Sequence, residues 1–265
     1  MERASLDLFG ARAAIEKNKV AMTESRMRKA PSAVFLLCLL VSSTWASGFQ
    51  QANGGGAAQS YFNRAADAIL ALKSARFSIT REGTPAVLDE KNHITFTAAE
   101  CVYSAPDRVS CSIKVSRKNG NILQLTRVWV PDGTFQSNPL TKEFGKVPPD
   151  ANFNGAAFFA KTGIPDILRT AVDKGQTAGH EPIDGHETLK LTGEVSGAKL
   201  KPLMGATLRP AAMYPIELWI DERSADPARL HVTEPDDSGW LIDLYGINEP
   251  NNIPTPKLPP PPNRP

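Results

Sequence analysis

The chain has no hydrophobic run long enough to cross a membrane. Its longest, Ala33 to Val41 (AVFLLCLLV), falls well short of the ~20 apolar residues that a spanning helix needs. Neither sign of charge dominates. Of 30 basic and 28 acidic residues, seven and four fall in residues 1–46. The remainder is close to neutral, which gives no basic field for nucleic acid. Catalytic motifs are missing as well: there is no GxSxG elbow, no phosphate-cradling glycine loop and no CxxC pair. The four histidines, His93, His180, His186 and His231, include two His-Glu dipeptides but no HExxH. The spacing of His180 and His186 does not suit metal ligands on one helical face. No cofactor and no metal are expected, and the chain reads as non-enzymatic. His180-Glu181 and His186-Glu187 read as exposed loop residues around the Asp184-Gly185 turn.

What is present begins with export. Met27-Arg28-Lys29, the apolar run and then Thr44-Trp45-Ala46 give the basic, apolar and small-residue order of a secretory signal peptide. Residues 1–26 then read as an over-long start, 27–46 as the signal, and 47–57 as a flexible lead containing Gly54-Gly55-Gly56. Residues 58–253 form one domain, and 254–265, with PTPKLPPPPNRP, a proline-rich, extended tail. Cys38 leaves with the signal. Cys101 and Cys111 remain in an exported body, where a disulfide is expected.

Ala58 to Ala75 repeats Phe62, Ala65, Ile69 and Leu72 at helical spacing. From Phe77 the period becomes two, with strands at Phe77–Thr80, Ile94–Tyr103, Val109–Ser116, Ile122–Val130 and Thr134–Ser137. Tight turns at Ser104 to Asp107, Asn119-Gly120 and Asp132-Gly133 make the array antiparallel. Asn154 to Lys174 reads as helical, with Pro165 in the first turn of a second piece, and a short helix follows at Ala198 to Met204. Glu187–Glu194, Ile216–Asp221, Arg229–Thr233 and Trp240–Tyr245 close the domain as strands.

The fold class is therefore α+β: a curved antiparallel sheet, a half-barrel, with two or three helices packed on its concave face. Ile122, Val128 and Val130 share one parity of their strand, while Leu123, Leu125 and Trp129 share the other, so both faces meet apolar material. A cavity beneath the helices and a filled core explain this equally well.

A three-residue turn between Ser104 and Arg108 pairs Tyr103 with Val109 and Cys101 with Cys111, which brings the thiols within bridging reach. The same register sets Ile94 and Phe96 on the wrong side, and a β-bulge near Ala98-Ala99 repairs it.

Three stretches carry a family resemblance: FTAAECVYSAPDRVSCSIKV (Phe96 to Val115), SNPLTKEFGKVPPDANFNGAAFFAKTGIPDIL (Ser137 to Leu168), and the end from PIELWIDE (Pro215 to Glu222) to IPTP (Ile253 to Pro256). In this order they resemble the LppX/LprAFG family of envelope lipoproteins, within the wider LolA/LolB-like half-barrel fold. The resemblance implies a hydrophobic cavity that binds the acyl chains of a lipid or glycolipid for transport or transfer. It also implies an envelope transporter or membrane as a further partner. The lining it points to is Ile69, Leu72, Phe77, Phe96, Leu125, Trp129, Phe158, Phe159, Ile167, Leu168 and Leu203. Such proteins carry a lipobox cysteine, and Cys38, preceded by Leu37 in mid-run, matches that pattern poorly. An exported monomer in the envelope or secreted is expected. The alternative is an envelope sensor or protein-interaction module on the same fold.

Overall fold

The computed structural model describes residues 54–147, 155–170, 172–204, 208–209 and 211–260, without the side chains of 201–204. Residues 1–26, the signal, Cys38 and the end of the tail from residue 261 lie outside the described residues. Helix α1 (Gly54–Ala71) leads into β1 (Ser74–Glu82), β2 (Val87–Asp89), β3 (Ile94–Ser104), β4 (Arg108–Ser116), β5 (Ile122–Val130), β6 (Gly133–Ser137) and β7 (Phe144–Val147). A 3-10 turn (Gly155–Phe158) and α2 (Ile164–Thr170) follow. The chain then runs through β8 (Asp173–Ile183), β9 (His186–Ser196), α3 (Gly197–Met204), β10 (Met213–Ile220), β11 (Pro227–Thr233) and β12 (Gly239–Tyr245).

All pairings are antiparallel. The order is β7-β6-β5-β4-β3-β1-β12-β11-β10-β9-β8, with β2 paired to β3 off that path. Two meanders meet at β1 and β12, and β7 and β8 are opposite edges of an open sheet. The chain must therefore cross from one edge to the other between β7 and β8. That crossing carries the 3-10 turn and α2, which pack on the inner face beside α1 and roof the core.

Several elements differ from their expected bounds. Gly54-Gly55-Gly56 form the first turn of α1 instead of a flexible lead, and Ser74 and Ala75 leave the helix to pair with Ser104 and Tyr103. The helical stretch expected over Asn154 to Lys174 is in two pieces, with Pro165 in the first turn of the second as expected, but it ends at Thr170, and Asp173 and Lys174 already belong to β8. A Cβ on Gly163 would stand 1.8 Å from the Ala157 carbonyl oxygen, so the backbone passes too close to itself there for a regular helix. His180 and Glu181 lie on strand β8, the histidine exposed and the glutamate half-buried, and the exposed His186 and Glu187 open strand β9, instead of lying in a loop. The Asp184-Gly185 turn joins β8 to β9 with both residues at positive φ, 49° and 82°, the conformation of a type I′ hairpin.

Both faces of β5 do meet apolar material. On the inner side the cover is the roof. On the outer side Val128, Val130 and Phe135 form a second buried cluster with Ile253, and Arg108 Nη1 donates to the Ile253 carbonyl at 2.9 Å. Beyond it Thr255 Oγ1 donates to Asp132 at 3.2 Å. The start of the tail is therefore seated on the sheet.

Candidate functional site

Strand alternation sorts inner from outer residues. Across β3, β4 and β5 the inner face forms four ranks: Phe96, Val115, Leu123; Ala99, Ile113, Leu125; Cys101, Cys111, Arg127; and Tyr103, Val109, Trp129. A register shift between Phe96 and Ala98 supplies the bulge that the sequence demanded, one residue from where it was expected. The disulfide joins Cys101 and Cys111 in the third rank. On the other half of the sheet, Phe77 stands opposite Leu244, Leu230 opposite Ile242 and Leu218 opposite Leu230.

The roof meets this face through aromatic rings. Phe159 stacks on Tyr103 with centroids 4.0 Å apart and planes 10° from parallel, and it presents its edge to Phe77 at 5.2 Å. Phe158 stacks on Phe77 with centroids 6.2 Å apart. The 3-10 turn starts at Gly155 because nothing larger fits: a Cβ there would lie 2.9 Å from Val109 Cγ1 and 3.1 Å from the Trp129 ring. Burial pushes the Tyr103 hydroxyl above its usual pKa, assisted by the nearby Asp107 charge.

Polar contacts clamp α2 at its rim. The amide of Gln59 donates to the carbonyls of Leu168 and Arg169, each at 3.3 Å, which satisfies groups that the helix end leaves unpaired. Arg169 pairs with Asp67 of α1, and Lys199 of α3 pairs with Asp166 at 3.4 Å.

Beneath α2 lie two apolar voids that share Phe158, Ile164, Leu230 and Ile242 in their walls. Each has a free volume of about 20 Å³, room for about one water molecule and no more. The lining is entirely apolar. Of the residues expected there, Ile69, Phe77, Phe158, Phe159, Ile167 and Leu168 do line a void. Leu72 is buried in the same core, and Trp129 is buried under the 3-10 turn. Phe96 and Leu125 are half-buried on the inner face away from both voids, and the side chain of Leu203 lies outside the described residues. Sequence reasoning passed over Ile164, Leu200, Ile216, Leu218, Leu230 and Ile242. The alternation of Tyr214, Ile216, Leu218 and Ile220 along β10 was the available signal for that half of the wall.

Two arginines stand on this face. Arg81 is almost fully buried and donates from Nη1 to Glu234 at 2.5 Å, from Nη2 to Ser238 at 2.6 Å and from Nε to the Thr84 carbonyl at 2.7 Å. Its guanidinium lies over the Trp240 ring, whose Nε1 also donates to Glu234. Arg127 is half-buried and donates to the side-chain oxygen of Gln136, its partner in the register with β6. Among the described residues no group of three His, Cys, Asp or Glu side chains could hold a metal ion, and no helix is long and apolar enough to cross a membrane.

The same architecture recurs in solved structures. LprF from Mycobacterium bovis superposes with a TM-score of 0.58 at 17% identity, over 76% of this chain and 97% of that one. The lipoprotein LppX from Mycobacterium tuberculosis gives 0.56 at 17% identity, over 75% and 99%. At these identities the likeness shows the fold. Among curated protein sequences none matches the chain. The sequence model of the LppX_LprAFG lipoproteins matches residues 57–253, from α1 through the buried Ile253, and the chain belongs to that family.

Proposed function

We propose that this chain is an exported cell-envelope protein that binds the acyl chains of a lipid or glycolipid between the α2 roof and the inner face of the sheet, for transport or transfer. The observation that carries the reading is the wall beneath α2, which has no polar side chain among its lining residues although the roof above it is held at its rim by exposed polar contacts. Such a surface offers acyl chains about 0.8 kcal/mol for each methylene withdrawn from water, and no reactive group is needed. The voids are far smaller than a chain, so a lipid enters by displacing the roof. Family membership and the disulfide, which suits an oxidising compartment, support the same reading.

The test is native mass spectrometry of residues 47–265 purified from the native host with the disulfide intact, followed by organic extraction. Lipid present in near-stoichiometric amount is the expected result. A clean lipid-free mass from folded, oxidised protein would overturn the proposal in favour of a protein-interaction module on this fold.

A further inference from the structure

Among the cations that the sheet buries or half-buries, Arg127 differs from Arg81, Lys190 and Arg229, and shares only with the outer-face Arg108, which reaches the Ile253 carbonyl, the lack of a carboxylate partner among the described residues. Arg81 is answered by Glu234, Lys190 by Glu181 and Glu217, and Arg229 by Asp243. No carboxylate answers Arg127 among the described residues. Its Nε and Nη2 both donate to Gln136 Oε1, at 3.0 and 2.5 Å, and its Cζ lies 5.9 Å from the centre of the Trp129 ring. A guanidinium carries five N–H donors, so three are left for another acceptor. Burial lowers its pKa from the usual value, yet an arginine so far above neutrality stays charged. The result is a fixed, half-desolvated positive charge with spare donors, a costly arrangement unless an anion completes it.

Its place on β5 says what kind of anion. Leu125 and Leu123 follow Arg127 on the same side of the strand, about 7 and 14 Å along it, and both are half-buried, as is Phe96 in the rank of Leu123. On the other side only β6 and β7 separate Arg127 from the open edge of the sheet. A free oxyanion would leave these apolar positions unused, whereas an amphiphile uses both.

Building on the lipid-binding reading above, we propose that the ligand is an anionic amphiphile, whose carboxylate or phosphate takes the free donors of Arg127 while its chains run over the adjoining apolar ranks toward the wall beneath α2, which the rank of Arg127 reaches at Phe77. The fork of a guanidinium suits a two-oxygen acceptor of either kind.

The experiment offers the refolded, lipid-free protein two matched pairs in mixed micelles, oleate with oleyl alcohol and dioleoylphosphatidylglycerol with dioleoylglycerol, and reads the bound species by native mass spectrometry. The anionic member is expected to be favoured on the order of tenfold in each pair, the worth of a charge-assisted hydrogen bond. Arg127→Met should take up both members alike, and Arg127→Lys should keep part of the preference; thermal melts and thiol titration confirm that each variant is folded and oxidised. Equal uptake by the wild-type protein, or a preference that survives in Arg127→Met, overturns the proposal and leaves lipid binding standing. Displacement of dioleoylphosphatidylglycerol by millimolar inorganic phosphate also overturns it, because the site would then be one for a free oxyanion. Uptake of no lipid at all removes both readings together.

Discussion

Cys101 and Cys111 face each other across the β3–β4 hairpin with their Cα atoms 4.1 Å apart, bonded on the inner face of the sheet and both buried. The bond closes a short loop through the turn at Pro106, and it fixes the register that sends Tyr103 up to Phe159. Cross-linking so few residues removes a modest amount of unfolded-state entropy, so the paired Cys101→Ala, Cys111→Ala variant should lose about 2–3 kcal/mol. Urea unfolding monitored by tryptophan fluorescence would show it as a lower midpoint.

The hairpin was legible in the sequence because two separate signals agreed on it, the Ser104 to Asp107 turn and the two cysteines, and the one parity conflict is met by a bulge. Strand β5 was legible to the residue. Strand β8 was not, because its pattern DKGQTAGHEPI is exposed along nearly its whole length, and an edge strand with nothing to bury shows no alternation to read. The edge strand β7, four residues long, and the three residues of β2 were lost for want of length. At the site, Phe158 and Phe159 declared themselves by hydrophobicity. Arg127 did not, since a charged residue in a strand reads as solvent-facing until the register places Cys111 beside it. The outer cover of β5 was equally hidden, because Ile253 sits at the mouth of a proline-rich tail with no periodicity of its own.

Arg81 and Glu234 form a buried ion pair with side chains exposed by only 5% and 12%. At that burial, removing one partner strands the other charge, which costs about 3–5 kcal/mol. Arg81→Met and Glu234→Leu should each be destabilising on that scale, and the double variant should be far less so than their sum. A double-mutant cycle by urea titration measures the difference, and additivity would show that the pair acts only through its separate contacts with Ser238, Thr84 and Trp240.

On the outer face, Glu217 sits between Lys190, 2.7 Å away, and His231, 3.2 Å away. Burial alone would raise its carboxyl, but hydrogen bonds from Lys190 and His231 outweigh this and hold it below its ordinary value of 4.5. A depressed folded pKa gives stability that is present above the unfolded value and is lost as the pH falls through the folded one. Wild-type stability should therefore decline as the pH drops below 4.5, and Glu217→Gln should flatten that part of the acid limb. Urea midpoints across a pH series would check it; an acid limb of the same steepness in the variant would assign the decline to other carboxylates, such as Asp221, which the backbone amide of Ser224 holds low.

Phe158 stands in the wall of both voids and against Phe77. Truncating it deletes a large buried side chain and joins the two spaces into one, so Phe158→Ala should cost about 3–5 kcal/mol. If the space beneath α2 is where acyl chains lie, the enlarged cavity should also accept lipid more readily than the wild-type protein does. The two consequences have opposite signs, and a lipid that fills the gap should restore part of the lost stability, because a ligand at free concentration L that binds only the folded state raises its stability by RT ln(1 + L/Kd), more for the tighter binder. Melting curves of lipid-free and lipid-loaded Phe158→Ala should therefore separate more widely than the corresponding wild-type pair. An equal separation would mean that the acyl chains lie elsewhere on the inner face, away from the wall that Phe158 builds.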